Sequence, residues 1–243
     1  MVLGAVSFPL YYISVKKGIG NFFKDTQVQA LLLLLLGGTV IFSLSFGPDP
    51  HSVVSGMFQT TTSITTTGFN TVPTASLSDA DKFVTTILMV IGGSTGSTAG
   101  GIKIFRLLIL FGFVRVVFFR SILPKEAKIP LGFRNIKIKK EEAEFVAAFF
   151  VIYLVILALS TVTILWIEGS TLTDTLFEVA SAEGTVGMSV GLTSSNLSFW
   201  SKLVLIFNMW IGRLEIFPVL VVFHPGVWVK KWRVVIRKEK DTL

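Results

Sequence analysis

The sequence predicts an all-α membrane protein that contains two copies of a span, pore-helix, span unit. Three observations support this fold class. First, 51% of the 243 residues are hydrophobic, only 15% are charged, and the mean hydropathy is +0.73, whereas a soluble domain carries about a quarter charged residues. Second, clusters of basic residues alternate with segments that hold none. Third, the chain repeats itself at an offset of 119 residues.

Four apolar stretches are the predicted spans, because a bilayer core about 30 Å thick needs about 20 residues of helix. Val28 to Phe46 and Phe145 to Ile167 contain no charged residue. Leu203 to Phe223 is apolar except for one arginine and one glutamate. The fourth stretch runs from Phe83 to Phe119 and is interrupted by glycines, so we expect a broken helix there.

Two further segments are helix-compatible but too short to cross the membrane. They are His51 to Thr66 and Leu172 to Ala182, and each is followed by a loop rich in threonine and glycine. Non-helical backbone at membrane depth is tolerated only against protein or a water-filled cavity. We therefore expect two re-entrant pore helices, each followed by a loop that lines a cavity.

The basic residues fix the orientation of these segments. Nineteen of the 22 Lys and Arg fall within residues 16–24, 103–140 and 230–240. None lies between Gly47 and Asp81 or between Glu168 and Ser201. By the positive-inside rule the three clusters are cytoplasmic and both pore helices enter from outside. The net charge of +7 is thus explained by membrane topology, and no nucleic-acid partner is expected.

The internal repeat aligns the two pore segments with each other. The offset of 119 residues pairs Phe58 with Phe177, and it also pairs Gly68 with Gly187. Such self-similarity indicates repeated structural units. We expect the two threonine-glycine loops to occupy equivalent places in the two units.

These loops have the composition of a filter for a dehydrated cation. A potassium filter replaces the hydration shell of the ion with backbone carbonyls, and glycine tolerates the backbone strain that this requires. The C-terminal end of a short helix also favours a cation. An ordinary glycine turn in an outer loop is the alternative interpretation. The predicted filter residues are Thr66, Thr67, Gly68 and Phe69, with Thr185, Val186, Gly187 and Met188 in the second loop.

A glycine-rich segment in the broken span is the predicted gate. Five of the ten residues from 92 to 101 are glycine, and each glycine costs a helix up to about 1 kcal/mol relative to alanine. A break within a span, directly after a filter unit, suits a flexible barrier below the filter. Tight helix packing through small residues is the alternative. The predicted gate residues are Gly92, Gly93, Gly96, Gly100 and Gly101, together with Arg213.

Arg213 is included because a charge within a span is costly without water or a partner, and so marks a functional site. A single positive charge below a cation filter would repel ions and tune their occupancy, or pair with a mobile gate. The alternative is a structural ion pair. Glu215 is two residues away and therefore on another helix face, whereas Glu183 is a candidate partner.

Several other chemistries are excluded by residue type and spacing. The chain has no cysteine, so disulfides and thiolate metal sites are absent. A phosphate-binding P-loop needs Lys directly after its last glycine, but Ile102 follows Gly101 here. A serine nucleophile needs a base, and His51 and His224 are expected on opposite sides of the membrane. We expect neither an enzyme nor a bound cofactor, with potassium as the substrate.

Three features match a known family: the two threonine-glycine loops, the glycine-rich segment through Lys103, and the segment from Gly212 to Leu220. In these features the chain resembles TrkH-type potassium uptake proteins of the Trk/Ktr/HKT superfamily. The resemblance covers nearly the whole chain. It implies a potassium-channel-like fold of four repeats around one pore, in the plasma membrane. It places potassium at Thr67, Gly68, Val186 and Gly187. It also implies dimerisation and a cytoplasmic ring of nucleotide-binding regulatory subunits.

Only the third and fourth of these repeats are present. The predicted divisions are 1–27 for the end of the preceding repeat and a cytoplasmic connector, 28–122 for the third repeat, 123–141 for a basic linker, 142–229 for the fourth repeat, and 230–243 for a basic tail. Another chain that carries the first two repeats, or a second copy, would complete the pore. Sodium or mixed cation transport, and a non-conducting truncated subunit, are the alternatives that stay open.

Overall fold

A computed structural model describes residues 1–47, 49–122, 132–133 and 136–214. The predicted basic tail at 230–243, the segment 215–229 and residues 123–131 of the predicted linker lie outside the described residues. Within the described residues the chain is helical apart from one short hairpin, in agreement with the predicted fold class.

The elements follow in an order that repeats the predicted unit twice. The helices are α1 (Val2–Ala5), α2 (Phe8–Lys17), α3 (Gly20–Lys24), α4 (Thr26–Phe46), α5 (Pro50–Ile64), α6 (Asp79–Ile91), α7 (Ile104–Ile122), α8 (Lys140–Glu168), α9 (Leu172–Glu183) and α10 (Phe199–Leu214). A 3-10 turn spans Thr74–Ser76. Strands β1 (Gly132–Phe133) and β2 (Ile136–Lys137) pair antiparallel, with Gly132 opposite Lys137.

Helix α4 corresponds to the first span of the predicted third repeat. It begins where the Asp25 carboxylate accepts hydrogen bonds from the backbone N–H groups of Gln27 and Val28, which satisfies donors that a helix start leaves unpaired. It packs closely on pore helix α5 through small residues. A Cβ added to Gly38 would lie 2.4 Å from Thr60 Cγ2 on α5, so this close approach depends on glycine.

Helices α4 and α8 are the two described helices that are long and apolar enough to cross a membrane. In their most apolar windows only 22% and 33% of the residues are buried within the chain. A core helix of a soluble protein would be mostly buried, so these exposed apolar faces fit contact with lipid. Leu44 on α4 is 81% exposed, for example.

The predicted broken span is present as two helices with a loop between them. Helix α6 ends at Ile91 and helix α7 begins at Ile104. Residues 92–103, named here the gating loop, carry no helix. The break therefore occurs where the glycines cluster, as their low helix propensity predicts.

The two repeats are joined on the side where the pore helices begin. Lys82 Nζ on α6 donates to Asp174 Oδ1 in the first turn of α9 at 2.7 Å. The Thr74 hydroxyl donates to the carbonyl of Ser189, which follows the second filter loop. These contacts join α6 to the second pore helix α9, and the turn before α6 to the segment that follows the second filter loop.

Candidate ion pathway

Both pore helices end in the same hydrogen-bond pattern. Three backbone hydrogen bonds close the end of α5, and three bonds at positions 119 residues further on close the end of α9. In the third repeat they run from Thr65 N to Thr61 O, Thr66 N to Ser63 O and Thr67 N to Thr62 O; in the fourth they run from Gly184 N to Ala180 O, Thr185 N to Ala182 O and Val186 N to Ser181 O. The repeat inferred from sequence thus extends to individual backbone bonds.

The filter loops also share an unusual backbone conformation. The φ angles are +50° at Thr66 and +81° at Gly68, and +54° at Thr185 and +89° at Gly187. Positive φ costs a β-branched residue such as threonine strain, which folded structures usually retain at functional sites. Alternating the sign of φ turns successive carbonyl groups toward one side of the chain, which is the arrangement that a carbonyl filter needs.

The two loops are in direct backbone contact. A Cβ added to Gly68 would lie 2.2 Å from the carbonyl oxygen of Val186. Only glycine permits this approach between the third-repeat and fourth-repeat loops. Gly187 is the equivalent residue of the second loop, and an added Cβ there meets nothing within 4 Å. Among the described residues, the side of the second loop that corresponds to the contacted side of the first is therefore open.

The gating loop is closed at its neck by backbone hydrogen bonds. Ile102 N donates to Val90 O, and Lys103 N donates to Ile91 O, both at 2.9 Å. The two ends of the loop approach so closely that a Cβ on Gly92 would lie 2.0 Å from Gly100 O. Glycine is required at the neck because a Cβ there would collide with the backbone of the other end of the loop. The alternative of tight helix packing does not explain this requirement.

The neck of the gating loop lies against both filter loops at Gly100. Gly100 N donates to the Thr66 hydroxyl at 2.7 Å. A Cβ on Gly100 would lie 2.0 Å from Gly184 O and 2.5 Å from the Thr185 hydroxyl. The structure thus brings the predicted gate glycine and the two predicted filter threonines together.

The N-terminal segment forms hydrogen bonds with the gating loop. The sequence analysis does not predict these contacts. Ser94 N donates to Ala5 O at 2.9 Å and Thr98 N donates to Gly4 O at 3.2 Å. Phe8 N donates to the loop carbonyl of Gly96 at 3.0 Å. No motif signals these bonds, because they join backbone groups almost 90 residues apart in the sequence.

Arg213 lies in the last turn of α10 and is exposed. It lines two cavities of about 420 Å³ each. One is shared with Gly100 of the gating loop, the other with Val186 and Gly187 of the second filter loop, and Thr185 lines both. Arg213 therefore lines cavities beside both the predicted gating loop and the second predicted filter loop.

The alternative ion pair between Arg213 and Glu183 is not present among the described residues. Glu183 is fully buried, and neither of its carboxyl oxygens has a hydrogen-bond partner. Its carbonyl oxygen instead packs on α10, where a Cβ on Gly212 would lie 1.9 Å from it. Ile64 is the residue 119 positions earlier and is equally buried.

A second acidic residue of α9 was missed from the sequence. The buried carboxylate of Glu178 accepts hydrogen bonds from the Ser189 hydroxyl, from Val190 N at 3.0 Å and from the Thr193 hydroxyl at 2.7 Å. It therefore fixes the segment that follows the second filter loop. The signal in the sequence was an acidic residue between Phe177 and Val179, in the interior of an apolar helix.

The ligands that these loops offer to a cation are neutral oxygens. Among the described residues no group of three His, Asp or Glu side chains is arranged to hold a metal ion. The filter loops instead present main-chain carbonyl and threonine hydroxyl groups, which suit a hard cation that exchanges its hydration shell for neutral oxygen ligands.

Comparison with known proteins identifies the family. A family model named TrkH and described as cation transport protein matches residues 1–227. The chain belongs to the TrkH family. The family is one of transporters and not of enzymes, as the sequence predicted, and its members are multi-pass proteins of the plasma membrane.

Relatives of the TrkH family match nearly the whole chain. An uncharacterized cation transporter of Methanocaldococcus jannaschii is 31% identical over 231 residues, covering 92% of this chain and 46% of the relative. The Ktr system potassium uptake protein D of Bacillus subtilis is 30% identical over 243 residues, covering 90% and 50%. The Trk system potassium uptake protein TrkH of Escherichia coli is 32% identical over 211 residues, covering 83% and 42%.

A solved structure has the same fold. The crystal structure of the potassium transporter TrkH from Vibrio parahaemolyticus superposes with a TM-score of 0.79 at 25% identity, over 93% of this chain and 51% of that one. The chain spans about half the length of these TrkH relatives.

Proposed function

We propose that this chain forms half of a pore for potassium uptake across the plasma membrane. The observation that carries the proposal is the pair of equivalent filter loops, which share hydrogen bonds and backbone angles and meet at Gly68 and Val186. Two loops that differed in conformation, or lay apart, would not provide ligands around a common axis. The potassium uptake named for the relatives supports potassium as the substrate.

Ion selection in this proposal uses main-chain oxygens. The carbonyls of Thr67 and Gly68, with those of Val186 and Gly187, replace water around a dehydrated potassium ion. Helices α5 and α9 both end at these loops, so the partial negative charge of each C-terminal end favours a cation there. Phe69 and Met188 follow the carbonyl ligands and complete the filter segments.

Gating is assigned to the glycine-rich loop beneath the filter. The loop meets both filter loops at Gly100, and in this position it blocks the path toward the cytoplasm. Gly96 has a φ of +76° at the outer part of the loop, where residues other than glycine are strained. The exposed guanidinium of Arg213 lines the cavities on both sides of Thr185 and lowers cation occupancy below the filter.

The remaining half of the filter comes from polypeptide beyond these 243 residues or from a second copy of the chain. The open side of Gly187 is the surface that the next filter loop would contact. In this arrangement residues 28–122 and 142–229 are the third and fourth pore repeats, and 1–27 connects them to the preceding repeat. The basic segments at 123–141 and 230–243 face the cytoplasm, where nucleotide-binding regulatory subunits would dock.

Two alternatives compete with this function. A pore of the same fold that conducts sodium or both ions would place the same loops around a different ion; glycine at both filter positions favours potassium. A non-conducting subunit would retain the fold without ion flux. Its filter residues would tolerate substitution as far as packing allows; at Gly68 an added Cβ would lie 2.2 Å from Val186 O, so packing constrains that position in either case.

Cation flux into proteoliposomes separates these possibilities. The assembled protein, with the polypeptide that supplies the other two repeats, is expected to take up rubidium as a potassium surrogate in preference to sodium. Gly68→Ser and Gly187→Ser are expected to abolish the flux or reduce its selectivity. Equal sodium and rubidium flux would support the mixed-cation alternative, and absence of flux in every assembly would support the non-conducting one.

A further inference from the structure

The hydroxyl of Thr66 joins the filter to the gate. It accepts a hydrogen bond of 2.7 Å from the backbone N–H of Gly100. Gly100 is buried, and the Thr66 hydroxyl is the acceptor of this N–H in the conformation described. The Thr66 side chain was expected to belong to the filter alone, but its oxygen is directed to the gating loop.

The equivalent threonine of the fourth repeat makes no such bond. Thr185 has the same φ within a few degrees, +54° against +50°, and the same backbone hydrogen-bond pattern. Its hydroxyl has no hydrogen bond in the part of the chain that the structure describes. It lies close to Gly100, where an added Cβ would be 2.5 Å away, so it packs on the loop without accepting from it.

We propose that Thr66 is a positioning residue whose hydroxyl latches the gating loop in its closed position. The proposal rests on the proposed function, since it assumes that the loop is the gate. The remaining contacts of Gly100 with the filter loops are steric and involve Gly184 and Thr185. Movement of the loop away from the filter must therefore break the bond between Gly100 and Thr66.

Loss of the hydroxyl affects the two positions of the loop unequally. In the closed position the buried N–H of Gly100 would lose its acceptor, and a buried donor without a partner is costly. In the open position the same N–H would be free to bind water. Removing the hydroxyl is therefore expected to shift the equilibrium toward the open position by roughly 5- to 150-fold.

The absence of cysteine allows the position of the loop to be measured directly. Ser94→Cys introduces a single thiol into the gating loop at a fully buried position, where the serine hydroxyl has no hydrogen-bond partner among the described residues. The rate at which a water-soluble thiol reagent modifies this cysteine reports how often the loop opens. The measurement uses the assembled protein in proteoliposomes and does not depend on ion flux.

Three variants in the Ser94→Cys background test the latch. Thr66→Val removes the hydroxyl but keeps the β-branched shape at a positive φ, and is expected to increase the modification rate by the factor given above. Thr66→Ser keeps the hydroxyl and is expected to restore the unsubstituted rate. Thr185→Val is the matched control, and is expected to leave the modification rate unchanged, whatever it does to conduction.

The result distinguishes the latch from the proposed function. Equal modification rates for Thr66→Val and the unsubstituted protein would overturn the latch, as would an equal increase in Thr185→Val, because the effect would then be one of packing. If Thr66→Val does not fold, Thr66→Ala carries the same test. Absence of cation flux in the unsubstituted assembly would instead contradict the proposed function.

Discussion

Alanine at the two filter glycines should have different costs, and the difference tests whether this chain is half of a ring. Both Gly68→Ala and Gly187→Ala place a Cβ at a positive φ, of +81° and +89°, which costs about 1–2 kcal/mol. At Gly68 the new Cβ also lies 2.2 Å from Val186 O, whereas ordinary contact begins at 3.4 Å. The two loops must move apart by the difference between these two distances.

Such overpacking costs about 1–3 kcal/mol. For the chain alone we therefore expect Gly68→Ala to lower the free energy of unfolding by about 2–5 kcal/mol and Gly187→Ala by only about 1–2 kcal/mol. The two variants can be ranked by denaturant unfolding in detergent micelles. Both variants carry the same backbone strain, so the difference between their free energies of unfolding measures the contact between the loops.

Assembly with the other two repeats should remove this difference in cost between the two variants. In a ring of four loops, the loop of the first repeat would contact Gly187 as the fourth-repeat loop contacts Gly68 here. Gly187→Ala should then become as costly as Gly68→Ala when the same measurement is made on the complete pore. A difference that persists after assembly would mean that no loop covers Gly187, and the reasoning about a shared ring would be wrong.

Three further variants test the surroundings of the filter. Arg213→Ala should change the conduction rate while leaving thermal stability nearly unaltered, because Arg213 is exposed and has no ion pair among the described residues; equal currents would remove it from the pathway. Asp174→Asn should destabilise the chain by about 1–3 kcal/mol, because it leaves the buried Lys82 ammonium without its carboxylate. Adding Lys82→Met to the same chain should recover part of this loss of stability. No recovery would refute the pairing. Glu178→Gln should speed amide hydrogen exchange at residues 189–193, since the amide cannot accept all the hydrogen bonds that the carboxylate accepts; unchanged exchange would show that Glu178 does not hold the segment.

The positions of the helices were largely predictable because they depend on local sequence. The absence of charge over Val28 to Phe46 predicted α4, and Asp25 adds the cap that moves its start to Thr26. Helix α8 begins at Lys140, before the apolar run, because Glu141 and Glu142 suit the positive end of the helix dipole. Helix α10 begins at Phe199, before the predicted span, since Lys202 interrupts the apolar pattern but not the helix.

The residues of the candidate site stay a prediction from sequence, and the contacts that the structure shows among them could not be predicted. Threonine and glycine in two repeated loops indicated a filter, because few other arrangements require those residue types after a short helix. The bond between Thr66 and Gly100, and the bonds from Gly4 and Ala5 to the gating loop, join segments at least 34 residues apart. Only the packing of the helices brings them together, so periodicity and composition carry no information about them.

The interpretation of the acidic residues shows the same limit. Glu183 was considered as a partner for Arg213 because both lie near the filter in the sequence, but its carboxyl group is enclosed and unpaired. Glu178 is not singled out by the sequence analysis, although it lies between Phe177 and Val179, and it accepts several hydrogen bonds. Charge type alone does not predict which of two acids on one helix faces a hydrogen-bond donor.

Locating the bound ion is the most direct test of the filter. Crystals of the assembled protein grown with thallium, a potassium surrogate that scatters anomalously, should show anomalous density between the two loops, within coordination distance of the carbonyl oxygens of Thr67, Gly68, Val186 and Gly187. Density that appears only in the cavities beside Arg213, or none between the loops, would contradict the account.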